Sequence, residues 1–443
     1  MTDTPRARID RFAPWLLDPE LGVCVVGSSA LQIACERAGI PGPVTADLDL
    51  AWAPDLDRGA EILRAHDVFR PTTEANQRRG TLALDLGGAR VEITSFRRTG
   101  REPVKDMEER IAADLAGRDM TLGALAHWLE HDRILDPFGG LEDWREKRIV
   151  AVGDPAERIL EHPVRWLRYY RRAHQWGFSL DSAIRKVDLE RSVVRAVPVE
   201  AIGSELRAAL LSCASPGRYL LELAECGLLQ VIAPELGRQF DGRPAGPVRH
   251  HPEVSQALHL ILALEWIVIR TAELDERDRA MAIVAVLCHD LGKSDTPPTE
   301  FPSHLGHEQS GLEAVRSFLS RYPVLADPAG RRLAELVCSE HLRARELRSM
   351  RPGTLARLYE DHFRDRDLRV DLFALALGAD AGGRLDRAAE GERIASQVET
   401  DIRWLQECCS RVDVAALRRR FPDDLEKFRG ELHQARARAL GDD

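Results

Sequence analysis

The chain has 443 residues, 44% apolar and 30% charged, with a formal charge of −10 from 62 Lys and Arg against 72 Asp and Glu. These proportions exclude a mostly disordered chain, a collagen-like fibre and a generally basic nucleic-acid coat. At roughly 150 residues per domain the length suggests about three domains. Eight cysteines are scattered, none in a C-x-x-C pair. The N-terminus MTDTPRARIDRF lacks an apolar signal core, and the most apolar long stretch, Ala257 to Ile269, is interrupted by His259 and Glu265. A zinc ribbon, a secreted disulfide scaffold and a membrane span are therefore not expected; a reduced, cytoplasmic protein is.

In chain order, VCVVG (Val23 to Gly27) reads as a buried strand. SSALQIACERAG follows as a helix with Ser as N-cap and Gly39 as its stop. ADLDLAW is a second strand, and TLALDLGGARVEITSF a hairpin about Gly87-Gly88. After about residue 105 the β signal fades. Leu, Ala, Arg and Glu recur at helical spacing, broken at 136–140, 214–217 and most clearly at 237–252, a stretch rich in Pro, Gly and charge. No solenoid repeat is present. The expected class is α+β: a mixed-sheet head over 1–140, a helical middle over 141–244, an all-α domain over 245–392 and a helical tail over 393–443.

Asp47 and Asp49 lie two apart in a predicted strand, so both carboxylates face one side. Two like charges that close call for a cation, and Mg²⁺ with oxygen ligands suits them. Glu92, in RVEITSF, supplies a third carboxylate if its strand is a neighbour. Upstream, VVGSS ends a strand and opens a helix, where free backbone N–H groups suit a triphosphate. Together these parts read as a two-metal nucleotidyl-transfer site; the alternative is that D-x-D is a solvated strand edge. Further on, Arg165, Arg168 and Arg172 share one helix face, and Trp166, Tyr170 and Ala173 another. Either a solvated basic face covers a packed aromatic one, or the guanidinium forks face nucleotide and RNA phosphates.

Eight of the 14 histidines lie between residues 250 and 362. His259 on an apolar helix, taken alone, reads more readily as a satisfied core histidine than as a ligand. His289-Asp290 is harder to dismiss, because burying Asp290 alone costs several kcal/mol, so a cation or a cationic side chain should stand beside it. Asp380 also ends an apolar helix.

Several segments carry a longer likeness: VVGSSALQ, ADLDLAW, VEITSFR, DLAGRDMTLGALA, the stretch from ILDPFGGLEDW through GDPAER to QWGF, and the CHDLGK region. In these, and in their order, the chain resembles the class II tRNA nucleotidyltransferases, the CCA-adding enzymes and bacterial poly(A) polymerases. The resemblance implies a polymerase-β-like head with Asp47 and Asp49 as Mg²⁺ ligands and Glu92 as the third acid. It places Gly27 and Ser28 at the triphosphate, and Arg118, Asp119, Arg165 and Arg168 at the nucleotide. Three departures stand out. G-G-x-x-R-D reads Gly27 to Gln32 without its Arg and Asp; R-R-D-F-T-x-N-A loses its first Arg and its Asn; and the Asp of E-D-x-x-R is His162. A neutral imidazole cannot copy a carboxylate's pair of acceptors.

The set His259, His289, Asp290 and Asp380 is similar to the H…HD…D ligands of the HD phosphohydrolases, which implies a transition metal such as Mn²⁺, Ni²⁺ or Co²⁺. Lys293 offers a point charge to phosphate, and His304, His307 and His341 fit positions for a second metal or a phosphate contact. HPEVSQALHL and TPPTEFPSHLGHEQSG resemble the sub-group whose HD domain is a phosphatase and 2′,3′-cyclic phosphodiesterase. The expected function is RNA 3′-end metabolism, joining transfer from CTP or ATP to a tRNA 3′-hydroxyl with removal of blocking phosphates. The alternatives are an HD phosphohydrolase whose head adds a single nucleotide or uses another acceptor, and a non-catalytic RNA- or nucleotide-binding protein.

Overall fold

A computed structural model describes residues 5–45, 48–97, 106–365 and 367–441. It divides into two units, one formed by 1–173 with 177–189, the other by 174–176 with 190–443. No helix among the described residues is long and apolar enough to cross a membrane.

The first unit is built on a mixed sheet of seven strands. These are β1 (Cys24–Val26), β2 (Asp49–Trp52), β3 (Phe69–Arg70), β4 (Thr81–Leu86), β5 (Ala89–Ser95), β6 (Ala126–Trp128) and β7 (Arg133–Leu135), in the order β3-β4-β5-β2-β1-β6-β7. Strand alternation sorts the side chains. Val25, Leu50, Trp52, Leu82, Leu84, Val91 and Ile93 fill one core. Cys24, Val26, Ala51 and Ala126 face the other way, against Ile111 and Leu115. The β4–β5 hairpin turns on Gly87 and Gly88, both at positive φ (+64° and +83°), the conformation a two-residue turn of this hand requires.

Helix α1 (Gly27–Arg37) follows β1 directly. Ser28 lies inside it, and the capping residue is Val26 with no side-chain bond, so the expected Ser cap is not formed. The second strand is shorter than expected, and Leu48 precedes it. Its partner β1 has only three residues and reaches Leu50 and Ala51 alone, which limits the ladder. Strands β6 and β7 lie in a region where only helix was expected; three residues each are too few for a periodic signal to show.

The second unit is helical. Its functional elements are α2 (Gln256–Arg270), α3 (Glu276–Cys288), α4 (His307–Arg321), α5 (Pro328–Glu340) and α6 (Val370–Gly382). Helix α6 is buried along nearly its whole length and α3 from Ala280 onward, past a charged first turn, and these stretches are apolar on all sides, as the inner elements of a helical core must be. The Pro- and Gly-rich stretch 237–252 lies within this unit.

Candidate active sites

In the head, β2 and β5 are parallel neighbours, and Asp49 sits directly opposite Glu92. Both residues alternate with side chains of the Val25–Ile93 core, so both project from the opposite face of the sheet. Asp47 lies outside the described residues. Glu92 accepts a hydrogen bond from Asn76 Nδ2 at 2.9 Å. Gly27 is at φ +68°, and a Cβ there would lie 3.5 Å from Asp49 Oδ2. The strand-to-helix turn at Gly27 and Ser28 is thus beside the carboxylate, and Ser28 Oγ donates to Thr45 Oγ1 at 3.4 Å.

A second group forms around Gly117. Its carbonyl accepts from Arg165 Nη2 at 2.8 Å and from Arg97 Nη1. Arg165 also bonds Glu161 Oε2 at 2.8 Å and is 5% exposed. It is therefore buried and engaged rather than part of a solvated face, whereas Trp166 and Tyr170 are packed as expected. Arg168 pairs with Asp119 at 2.8 Å and Arg118 with Asp114 at 2.8 Å. Burial pushes the Asp119 carboxyl up, but Arg168 overrides it and holds the carboxyl below its ordinary range. His162 is exposed, and its pKa is lowered by partial desolvation and by the nearby Arg165 and Arg97. It therefore stands as a neutral ring.

The second unit holds the denser site. Nδ1 of His289 donates to Val286 O at 2.6 Å, that of His307 to His304 O at 2.7 Å, and that of His341 to Cys338 O at 3.0 Å. His259 Nδ1 donates to Gly383 O at 3.1 Å. A carbonyl only accepts, so each Nδ1 carries the proton and each Nε2 presents a lone pair. These lone pairs converge. His259 Nε2 is 3.3 Å from His289 Nε2 and 3.3 Å from Asp380 Oδ1. Asp290 joins two sets of rings: Oδ2 is 3.2 Å from His289 Nε2, while Oδ1 is 3.2 Å from His307 Nε2 and 3.8 Å from His341 Nε2. Asp290 Oδ1 and His307 Nε2 are buried without a hydrogen-bond partner.

Acceptor facing acceptor at such distances is stable only with a cation between them, whether a proton or a metal ion. The ligating atoms of His259, His289 and Asp380 lie within 4.8 Å of one another, as do those of Asp290, His307 and His341. Imidazole and carboxylate donors in two such adjacent triads are a donor set suited to holding metal. Protons compete for the same lone pairs. Burial disfavours charge on His259, yet Asp380 and Glu253 raise its pKa to about 9, whereas burial pushes His341 down to about 3.

The surroundings balance charge. Lys293 Nζ lies 2.7 Å from Asp290 Oδ2 and 2.9 Å from Ala245 O, so the cationic partner expected beside Asp290 is present. Arg345 pairs with Asp380 Oδ2. Glu253 Oε1 is 2.7 Å from His251 Nδ1 and 3.1 Å from His259 Nδ1. His304 lies slightly apart, bonded to Pro244 O at 2.8 Å. A Cβ on Gly292 would fall 2.0 Å from His307 O and 2.7 Å from Gly311 N, so glycine alone lets the segment after Asp290 touch the start of α4.

Residues 39–150 match the Poly A polymerase head domain family and residues 253–373 the HD domain family. The multifunctional CCA protein of Cupriavidus metallidurans is 31% identical over 338 residues, covering 74% of this chain and 77% of its own. The chain belongs to the multifunctional CCA protein family. The member from Methylococcus capsulatus is 35% identical over 303 residues, 66% of each chain. Among solved structures, the Bacillus stearothermophilus CCA-adding enzyme in complex with CTP aligns over 99% of this chain and 92% of its own, with a TM-score of 0.62 at 18% identity. The Thermotoga maritima CCA-adding enzyme complexed with tRNA aligns over 100% and 95%, with a TM-score of 0.56 at 16% identity. At such identities these two establish the fold alone, a mixed-sheet head with a helical body.

Reading this multifunctional CCA protein relative from sequence missed Glu253, Arg345, Asp114 and Arg97. Arg97 and Asp114 stand at the edges of the VEITSFR and DLAGRDMTLGALA segments, where the likeness singled out other residues. Glu253 lies in the irregular HPEVS segment, and Arg345 reaches Asp380 across 35 residues of chain.

Proposed function

We propose that the chain acts at RNA 3′ ends through two centres. In the head, Asp47, Asp49 and Glu92 hold Mg²⁺ for transfer of a nucleotidyl group from CTP or ATP to a tRNA 3′-hydroxyl. Gly27 and Ser28 meet the triphosphate, and Arg118, Asp119, His162, Arg165 and Arg168 surround the nucleotide. In the second unit, His259, His289, Asp290, Asp380, His307 and His341 hold one or two ions such as Mn²⁺, Ni²⁺ or Co²⁺. Bound metal supplies an activated water and polarises a phosphoryl oxygen. The chain's own residues orient the ligands, and Lys293 and Arg345 balance the carboxylates. Hydrolysis adds water across a P–O bond, opening a 2′,3′-cyclic phosphate or releasing a terminal one. That frees the hydroxyl the head extends, at a site in the cytoplasm.

The observation that carries the hydrolytic half is the convergence of His Nε2 atoms on Asp290 and Asp380. Metal-dependent hydrolysis of 2′,3′-cAMP, lost in His289→Ala, tests it. For the head, the test is incorporation of labelled CTP and ATP into tRNA lacking its last three nucleotides. One observation favours a second reading of the head. With His162 in place of the templating carboxylate, and with Arg165 tied to Glu161 and Gly117, base selection differs from the family pattern. Addition of one nucleotide type, or use of another acceptor, would then replace complete CCA synthesis.

A further inference from the structure

A cavity of about 530 Å³ opens onto the metal-ligand cluster, where Asp380, His307 and His341 form part of its wall. A phosphate alone would fill only a fraction of it, and it falls in the range of about 300–1,000 Å³ typical of sites for small organic ligands. Three permanently cationic side chains, Lys293, Arg345 and Arg384, line it. Two are already used. The Lys293 ammonium is held by Asp290 and a backbone carbonyl, and the Arg345 guanidinium by Asp380 and Leu377 O.

Arg384 is different. It follows α6 four residues after Asp380, and among the described residues its side chain has neither a hydrogen bond nor an ion pair. Its Nε is buried without a partner. A half-buried guanidinium in this state lacks its anion, and the planar fork matches the oxygens of a phosphate. Two exposed apolar side chains line the same cavity, Leu305 at 87% and Leu342 at 42%, and Glu308 and Glu346 line it too. Apolar side chains left in water at the mouth of a charged cavity suit a flat ring.

We propose that this cavity holds the terminal nucleotide of an RNA 3′ end, with Arg384 on the non-bridging oxygens of its phosphate and Leu305 and Leu342 against its base. The assignment rests on the reading of the adjacent cluster as a phosphohydrolase centre and names the subsite that presents the phosphate to it. Arg384 is thereby a substrate-binding residue, and the two apolar side chains separate a nucleotide from a simple phosphate.

The test is calorimetric titration of the full chain, loaded with Mn²⁺, using inorganic phosphate and cytidine 3′-monophosphate. Arg384→Gln is expected to weaken both ligands at least about tenfold, the loss of charged hydrogen bonds, with bound manganese unchanged. Arg384→Lys, which keeps charge but not the fork, should fall between. Leu305→Ser should weaken cytidine 3′-monophosphate by about threefold to tenfold and leave inorganic phosphate as it was. Phosphate binding in Arg384→Gln as tight as in the unaltered chain overturns the assignment, and so does equal weakening of both ligands by Leu305→Ser. An unaltered chain that binds phosphate through Arg384 but hydrolyses no 2′,3′-cyclic phosphate overturns the phosphohydrolase reading instead and leaves the nucleotide subsite standing.

Discussion

Lys293→Met keeps the apolar stem of the side chain and deletes its charge. In the metal-free chain Asp290 then loses the cation 2.7 Å away and keeps only imidazoles around it. Breaking a buried pair by removing one partner costs about 3–5 kcal/mol. With both side chains only 6% exposed, solvent screening does not reduce that cost appreciably. At about 2–4 °C per kcal/mol for a unit of this size, even 3 kcal/mol lowers the melting midpoint by about 6–12 °C. Excess Mn²⁺ should close most of the gap, because metal charge on Asp290 replaces the lost ammonium. Asp290→Asn should behave oppositely, since it strands a buried ammonium and removes the shared ligand; its midpoint falls and Mn²⁺ does not restore it. Differential scanning calorimetry at one scan rate, in EDTA and in Mn²⁺, reads all four states. A Lys293→Met chain that melts in EDTA within about 2 °C of the unaltered protein would refute the reasoning.

Metal stoichiometry gives a second check. His259→Ala and His307→Ala should each lose one of two bound manganese ions, whereas Asp290→Ala should lose both; a single ion per chain in the unaltered protein would show that the two triads do not fill together. Asp49→Asn should cut nucleotide incorporation by at least about a hundredfold, the scale of a lost transition-state charge contact, without changing 2′,3′-cAMP hydrolysis. Asp119 gives a pH prediction. Its folded-state pKa is depressed by Arg168, so the pair stabilises the head above the ordinary carboxylate value near about 3.9. That stability is lost as pH falls through the lower folded value. Asp119→Asn should therefore destabilise the head at neutral pH by roughly 1 kcal/mol, Arg168 being one-third exposed. It should also flatten the acid limb of thermal stability, and an unchanged acid limb would count against the pair.

Legibility in the sequence followed the range of the signal. The Gly87-Gly88 hairpin rests on period-two alternation and a two-residue turn, and the first strand on a short apolar run, all written in adjacent residues; that Glu92 faces Asp49 was legible only on the condition that their strands are neighbours, because that pairing is parallel and long-range. His289-Asp290 and Asp380 were legible because polar residues at the ends of long apolar stretches violate burial so plainly. The three-residue strands β6 and β7 were not, since a strand that short is stabilised by its neighbours rather than by its own pattern. The Arg345–Asp380 and Glu253–His259 contacts also escaped, because nothing local in the sequence marks residues that meet only through tertiary packing. The basic face of Arg165, Arg168 and Arg172 shows the limit of helical periodicity. Spacing assigns a common side of a helix, but it does not show that the carbonyl of Gly117 takes up one of the guanidiniums.

The contact of Gly292 with the start of α4 gives the centre an unusual seam. His259, His289 and Asp380 hang on α2, α3 and α6, whereas His307 reaches Asp290 only because no side chain stands between Gly292 and the His307 carbonyl. One added methyl, Gly292→Ala, would wedge that seam open and leave the first triad untouched. Whether His307 meets Asp290 is thus set at one backbone crossing away from both side chains, and a lineage, or an engineer, could take the second triad apart without changing any residue that forms it.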